Sequence, residues 1–186
     1  MTRSLRFPVI ALIILAVGSI GFGADAYAAK KKKIDRRVVE ALEEFHEIVS
    51  GSEELIAGAA GVLIFPKVKK AGIGIGGEGG SGALQVDGET VGYYRTLSAS
   101  FGFQLGYQER RQILIFMTGE ALESFRNSEN WEIGADASVA LITLDAGGSI
   151  DTESLKSPVI AFIFGAKGLM YNLTLEGTKV SRIYPK

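Results

Sequence analysis

Glycine recurs at every second position through Gly72, Gly74 and Gly76, with only Ile73 and Ile75 between them. In an extended chain successive side chains point to opposite faces, so this spacing leaves one face of a strand with nothing but hydrogen. Another backbone can approach such a face closely, at the entropic cost that glycine carries in a strand. The surrounding segment, Ala60–Leu84 (AGVLIFPKVKKAGIGIGGEGGSGAL), opens with the apolar run Val62–Phe65 and then reaches Pro66. Proline cannot donate to a ladder, so the strand is expected to end there. A basic bend of Lys67, Lys69 and Lys70 is expected to follow.

The rest of the chain extends this reading. Ile34, Val38, Ala41, Leu42, Phe45 and Val49 follow helical spacing, with Glu40, Glu43, Glu44 and Glu47 on the opposite face. Ser50-Gly51 ends that helix, and Ser52 is expected to cap a short second one reaching about Ala60. Short strands are expected at Gly72–Gly76 and Ala83–Val86, and Asp87-Gly88 is a two-residue hairpin signal leading into Thr90–Tyr94. Ser98–Tyr107 alternates small or polar residues with Phe101, Phe103 and Leu105. Gln108–Arg111 reads as a polar turn and Gln112–Met117 as a buried run. Thr118 should cap a helix over Gly119–Asn127 that points Ala121, Leu122 and Phe125 inward. Strands are expected within Glu132–Leu144, Val159–Phe164, Leu169–Leu175 and Lys179–Tyr184. With 24 glycines on strands as well as in turns, the fold class is α+β and β-rich. The expected form is a strongly curved, mainly antiparallel sheet or barrel-like sandwich, with N-terminal helices and one central helix.

The string GVLIFP followed by KAG-x-G-x-GGEGG-x-G also resembles the SYLF domain. Three more blocks fit the same pattern: Thr90–Gly106 (TVGYYRTLSASFGFQLG), Phe116–Leu141 (FMTGEALESFRNSENWEIGADASVAL) and Ile160–Ile183 (IAFIFGAKGLMYNLTLEGTKVSRI). The SYLF domain is a lipid-binding module of yeast and animal actin-patch and endocytic proteins and of many exported bacterial proteins. Its eukaryotic members bind phosphoinositides and actin regulators. The resemblance therefore implies a non-enzymatic lipid-binding domain, whereas actin partners are not carried over to an exported chain.

Export is expected from the N-terminus. Arg3 and Arg6 precede the apolar stretch Phe7–Gly23, and Ala26-Tyr27-Ala28 offers small residues where a signal peptidase reads. Residues 1–28 are thus read as a cleaved signal peptide, leaving a periplasmic protein peripherally associated with a membrane. The alternative is an uncleaved anchor, because the apolar run approaches the ~18 residues of a membrane span and Lys30–Lys33 oppose translocation. Residues 29–59 are read as a basic tail with N-terminal helices and 60–186 as a Gly-rich β domain, with 29–186 forming one domain. The chain has no cysteine, which excludes disulfides, thiol chemistry and lipidation at a lipobox.

Motifs for catalysis are weak throughout. Gly72–Gly77 matches G-x-G-x-x-G literally, yet no helix follows to hold a pyrophosphate, so no nucleotide is expected. His46 is the one histidine, too little for zinc and without a nucleophile context for a triad. Asp145, Asp151 and Glu153 around Gly147-Gly148-Ser149 fit no EF-hand spacing, and Asp136 reads as structural. No catalytic residue, metal or cofactor is assigned, and the protein is not read as an enzyme.

Charge supplies the interaction signal. Residues 29–186 are slightly acidic overall, which argues against nucleic acid. Locally, Lys30, Lys31, Lys32, Lys33, Arg36 and Arg37 crowd into eight positions. Together with Lys67, Lys69 and Lys70 they are the expected lipid-binding residues, facing anionic phospholipid. The alternative function is a structural envelope protein acting through protein contacts or as a homo-oligomer, favoured by exposed apolar surface in Ser98–Tyr107 or Ile160–Leu175.

Overall fold

Asp87 and Gly88 both adopt positive φ, 51° and 77°, the backbone of a tight primed hairpin turn. They join two strands much longer than the sequence signals: β1, Gly61–Val86, and β2, Glu89–Phe116. A computed structural model describes residues 21–144, 153–168, 175 and 177–185, with side chains except at 21–28, 73–75 and 100–105. Residues 1–20 of the segment read as a signal peptide, Asp145 and Asp151, and all but the last residue of the strand read at 169–175 lie outside the described residues.

β1 and β2 pair antiparallel from Val86↔Glu89 at the turn to Gly61↔Phe116 at the far end. The ribbon doubles back on itself: Gly80 and Gly82 in the second half of β1 lie against Lys67, Val68 and Ile64 in the first half. A Cβ on Gly80 would sit 2.5 Å from the Lys67 carbonyl oxygen, and one on Gly82 would collide with that of Ile64. Close backbone approach is thus found at Gly80 and Gly82, further along the same glycine-rich segment than Gly72–Gly76.

Pro66 does not end the strand. The β1–β2 register shifts between Phe65 and Val68, and an irregularity of this kind absorbs a residue that cannot donate. Nor is there a turn at Gln108–Arg111. These residues continue β2, with Gln108, Arg110 and Gln112 buried; the polar run is a strand that turns Gln108 and Arg110 to the interior and leaves Glu109 and Arg111 partly exposed.

β2 is the shared spine. Its second half pairs with β5 (Val159–Gly168), and β5 pairs in parallel with β4 (Val139–Thr143). Its first half pairs with β6 (Lys179–Ile183), which takes β3 (Asn130–Glu132) at the other end. The result is a β-rich, strongly curled half-barrel with helices against it. The expected curved sheet is therefore present, with the β4–β5 pair as its parallel exception.

Both faces of the sheet are covered. α1 (Gly21–Ile48) lays Ile34, Val38, Ala41 and Phe45 on Val62, Ile64, Ile113, Ile115 and Phe162, as its helical spacing requires. The Phe45 ring meets Phe162 edge-on, with centroids 4.9 Å apart. α2 (Ser52–Ala57) follows, but Gly51 rather than Ser52 occupies its cap position. Ser52 is instead hydrogen-bonded to half-buried His46, Oγ to Nδ1 at 2.9 Å. On the other face, Thr118 Oγ1 accepts from the Ala121 N–H and starts α3 (Gly119–Asn127). That helix sets Leu122 and Phe125 against Tyr94, Phe116 and Trp131. Residues 159–164 of β5 are buried on both faces, the pattern of a strand inside a covered sheet.

Candidate functional site

The basic cluster is not a tail. Lys30–Lys33, Arg36 and Arg37 all lie within α1, which is docked on the sheet at this end. Tyr93 of β2 donates its hydroxyl to both Asp35 carboxylate oxygens, at 2.8 and 2.9 Å. The Lys31 ammonium sits over the same ring, 5.2 Å from its centroid. Further along, Arg111 pairs with Glu44 at 2.9 Å.

Helical periodicity then sorts the cations. Lys30, Lys33 and Arg37 stand one and two turns apart and share a face. They line a cleft of about 320 Å³ against the start of β1, whose opposite wall is Pro66, Lys67 and Lys69 with Gly79, Gly80 and Ser81. The two basic segments, about thirty residues apart in the chain, line one cleft. Lys31, Lys32 and Arg36 turn toward a neighbouring depression of about 520 Å³ beside Asp35, Val39 and Tyr93. Arg36 also reaches Glu40 across one helical turn, at 3.6 Å.

The cleft carries five cations, and Glu109 partly offsets two of them, Lys67 and Lys69. Lys67 Nζ lies 2.6 Å from Glu109, and that bond holds the Glu109 carboxyl below the usual carboxylate range. Gly79, Gly80 and Ser81 add almost no side-chain bulk to that wall, which leaves room for a small anion.

Lys70, the last of the expected lipid-binding residues, is elsewhere. It is only 4% exposed, and its register partner is Gln108. Near it Arg110 Nη2 donates to Glu78 Oε1 at 2.5 Å, the two residues being 2% and 7% exposed. Burial pushes the Glu78 carboxyl up, against the pull of Arg110 and Lys70. It pushes the Lys70 amine down, with Glu78 opposing and Arg110 assisting. Sequence reading took Gln108–Arg111 as a solvated turn and missed this interior group. The signal was Gln108, Arg110 and Gln112 at period two, running straight into Leu114 and Phe116.

Asp136 is exposed and accepts from the Glu132 N–H at 2.6 Å, bracing the turn after β3. It borders a cleft of about 550 Å³ lined by Ile133–Val139 residues, Leu141 and Leu175. Glu153 pairs with Lys156 at 2.6 Å. Among the described residues no cluster of three His, Cys, Asp or Glu side chains could hold a metal, and no helix is long and apolar enough to cross a membrane.

Residues 97–183 match the family model described as Ysc84, Las17-binding protein actin regulator. The span takes in the last two sequence blocks quoted above and part of Thr90–Gly106. The glycine-rich segment before it pairs along β2 in the same sheet. No curated protein matches the chain.

Proposed function

Starting from a Ysc84 (SYLF) domain at residues 97–183, we propose that this is an exported, non-enzymatic lipid-binding protein that associates peripherally with anionic membrane surface. The observation that carries the reading is the cleft in which Lys30, Lys33 and Arg37 face Lys67 and Lys69. Near an anionic bilayer each such cation contributes up to about 1 kcal/mol, a salt-sensitive attraction. The apolar face of α1 is occupied by the sheet, so charge rather than helix insertion supplies the contact. The family description names an actin regulator and a Las17 partner; what we carry to this chain is headgroup recognition, because the cleft has the chemistry for it. Signal-peptide cleavage after Ala28 and a periplasmic site belong to the same proposal.

The structural-protein reading asks for exposed apolar surface in Ser98–Tyr107 or Ile160–Leu175; Ile160–Phe164 are buried and Tyr107 is exposed, and the side chains at 100–105 and residues 169–174 lie outside those described.

Vesicle flotation of residues 29–186, the chain left by cleavage after Ala28, tests the proposal, using anionic and neutral liposomes at 50 and 300 mM salt. Two variants separate the helix faces: Lys30, Lys33 and Arg37 changed to Ser, or Lys31, Lys32 and Arg36 changed to Ser. Anionic-selective binding should weaken at high salt and fall further in the first variant than in the second. Binding indifferent to lipid charge, salt and both variants would place the contact on apolar surface and reject the cleft.

A further inference from the structure

Leu97 is 50% exposed although β2 pairs on both sides of it, with Gly79 of β1 and with Lys179 of β6. A Cβ on Gly79 would come within 3.1 Å of Leu97 Cδ2, so the leucine lies across a glycine with no larger neighbour beside it there. Gly79 is also part of the wall of the cationic cleft. The exposed leucine and the cleft therefore adjoin.

They also face the same way. Directly paired residues point to one side of a sheet, and each strand alternates sides. The unbroken register Ala83↔Tyr93, Ser81↔Arg95 and Gly79↔Leu97 thus sets all six on one face. Ala83 belongs to the core that α1 covers, and Tyr93 binds Asp35 of α1. Leu97 stands four residues beyond Tyr93 on that face, with exposed Arg95 between them opposite Ser81, another residue of the cleft wall.

Singly exposed leucines are common, and their surroundings decide what they suit. Leu97 is surrounded by cations: Arg95, the five of the cleft past Gly79, and Lys179, which also reaches Glu132 at 3.7 Å. A protein interface needs roughly 800 Å² from each partner, far more than one leucine supplies. A soluble anion would fill the cleft and leave Leu97 in water. An anionic bilayer meets both features, because its phosphates lie at the level of the cations and its acyl boundary lies just beneath.

We propose that Leu97 is an interfacial anchor, entering the acyl boundary of the leaflet whose headgroups face the cleft. The inference rests on the peripheral-membrane reading and adds to it the part of the contact that salt does not screen.

The chain has no cysteine, so Leu97→Cys can carry a single polarity-sensitive fluorophore. The reference label is Leu155→Cys, a position 41% exposed just ahead of Val159, at the Phe116 end of β2. Residues 29–186 are mixed with anionic or neutral vesicles, with and without quenchers on the acyl chains. On anionic vesicles the label at 97 should shift to the blue and be quenched, and the label at 155 should do neither. Unlabelled Leu97→Ser should weaken flotation with anionic vesicles about three- to tenfold, by the same factor at 50 and 300 mM salt. Unchanged emission from buried Trp131 verifies that this variant keeps the fold. Salt-sensitive, anionic-selective flotation with the label at 97 still in water, and Leu97→Ser binding like the parent, overturns the anchor and leaves the cleft standing. Quenching at 97 that is equal on neutral vesicles, and unmoved when Lys30, Lys33 and Arg37 are changed to Ser, supports the anchor and rejects the cleft. Equal quenching at 97 and 155 overturns the anchor, and no flotation with any vesicle overturns both.

Discussion

At the scale of single residues, Glu78 and Glu109 illustrate how place decides the chemistry of one side-chain type. Glu109 lies at the surface with Lys67 and is held low; Glu78 is buried and is pushed up despite Arg110 and Lys70 facing it. A carboxyl whose folded pKa is raised is protonated more readily in the folded state. Its contribution to stability is therefore complete below its ordinary 4.5 and is lost as pH rises through the folded value. Lys70 has the opposite sign of shift: its contribution is present above 10.5 and lost as pH falls through its depressed value. Chemical denaturation of the parent and of Glu78→Gln between pH 4 and 8 checks the carboxyl. The stability of the parent relative to the variant should grow as pH falls toward 4.5 and level off below it. A difference that instead shrinks as pH falls would mean that pairing, not burial, governs Glu78. None of this was legible in the sequence, where Glu78 sits among glycines and Arg110 among polar neighbours, because only the doubling of the ribbon brings them together.

At the scale of elements, amphipathic helices and tight turns were legible and long strands were not. Ile34, Val38 and Phe45 declare their face by period, and Thr118 and Asp87-Gly88 act through contacts a few residues away. The continuity of β1 through Pro66, and of β2 through Gln108–Arg111, depends on partners distant in the chain, so proline and polarity misled. The placement of Lys30, Lys33 and Arg37 on one side follows from helical geometry once Lys30–Lys33 is known to be helix; that Lys67 and Lys69 form the opposite wall is tertiary. The fold-back of β1 makes a sharp claim about two glycines. Gly82→Ala drives a Cβ into the Ile64 carbonyl, which should lower stability by at least the ~1–3 kcal/mol of ordinary overpacking. Gly77→Ala, with nothing within 4 Å of its added carbon, should be neutral or mildly stabilising. Urea midpoints at unchanged slope measure both, and equal effects would show that the two halves of β1 are not in contact.

At the scale of the whole molecule, the two cores on opposite faces share β1, β2 and β5, so they should melt together. Phe45→Ala removes a ring packed on Phe162 and Phe164 and should cost about 3–5 kcal/mol. Trp131, the one tryptophan, is fully buried in the other core and reports on that face by fluorescence. Its transition should shift together with the circular-dichroism transition in Phe45→Ala. A Trp131 signal that stays at the parent midpoint would mean that the faces unfold separately.

The doubled ribbon also has a consequence in time. Val86 and Glu89 are near neighbours in the chain, whereas Gly61 must find Phe116, so each rung of the ladder closes a longer loop than the one before. Assembly should therefore begin at Asp87-Gly88 and zip outward, with the terminal rungs and the docking of α1 arriving late and slowly. Until then, the apolar residues around Ile64 and Ile113 stand on open strand edges. This interval, rather than the finished fold, is when the chain is most exposed to aggregation.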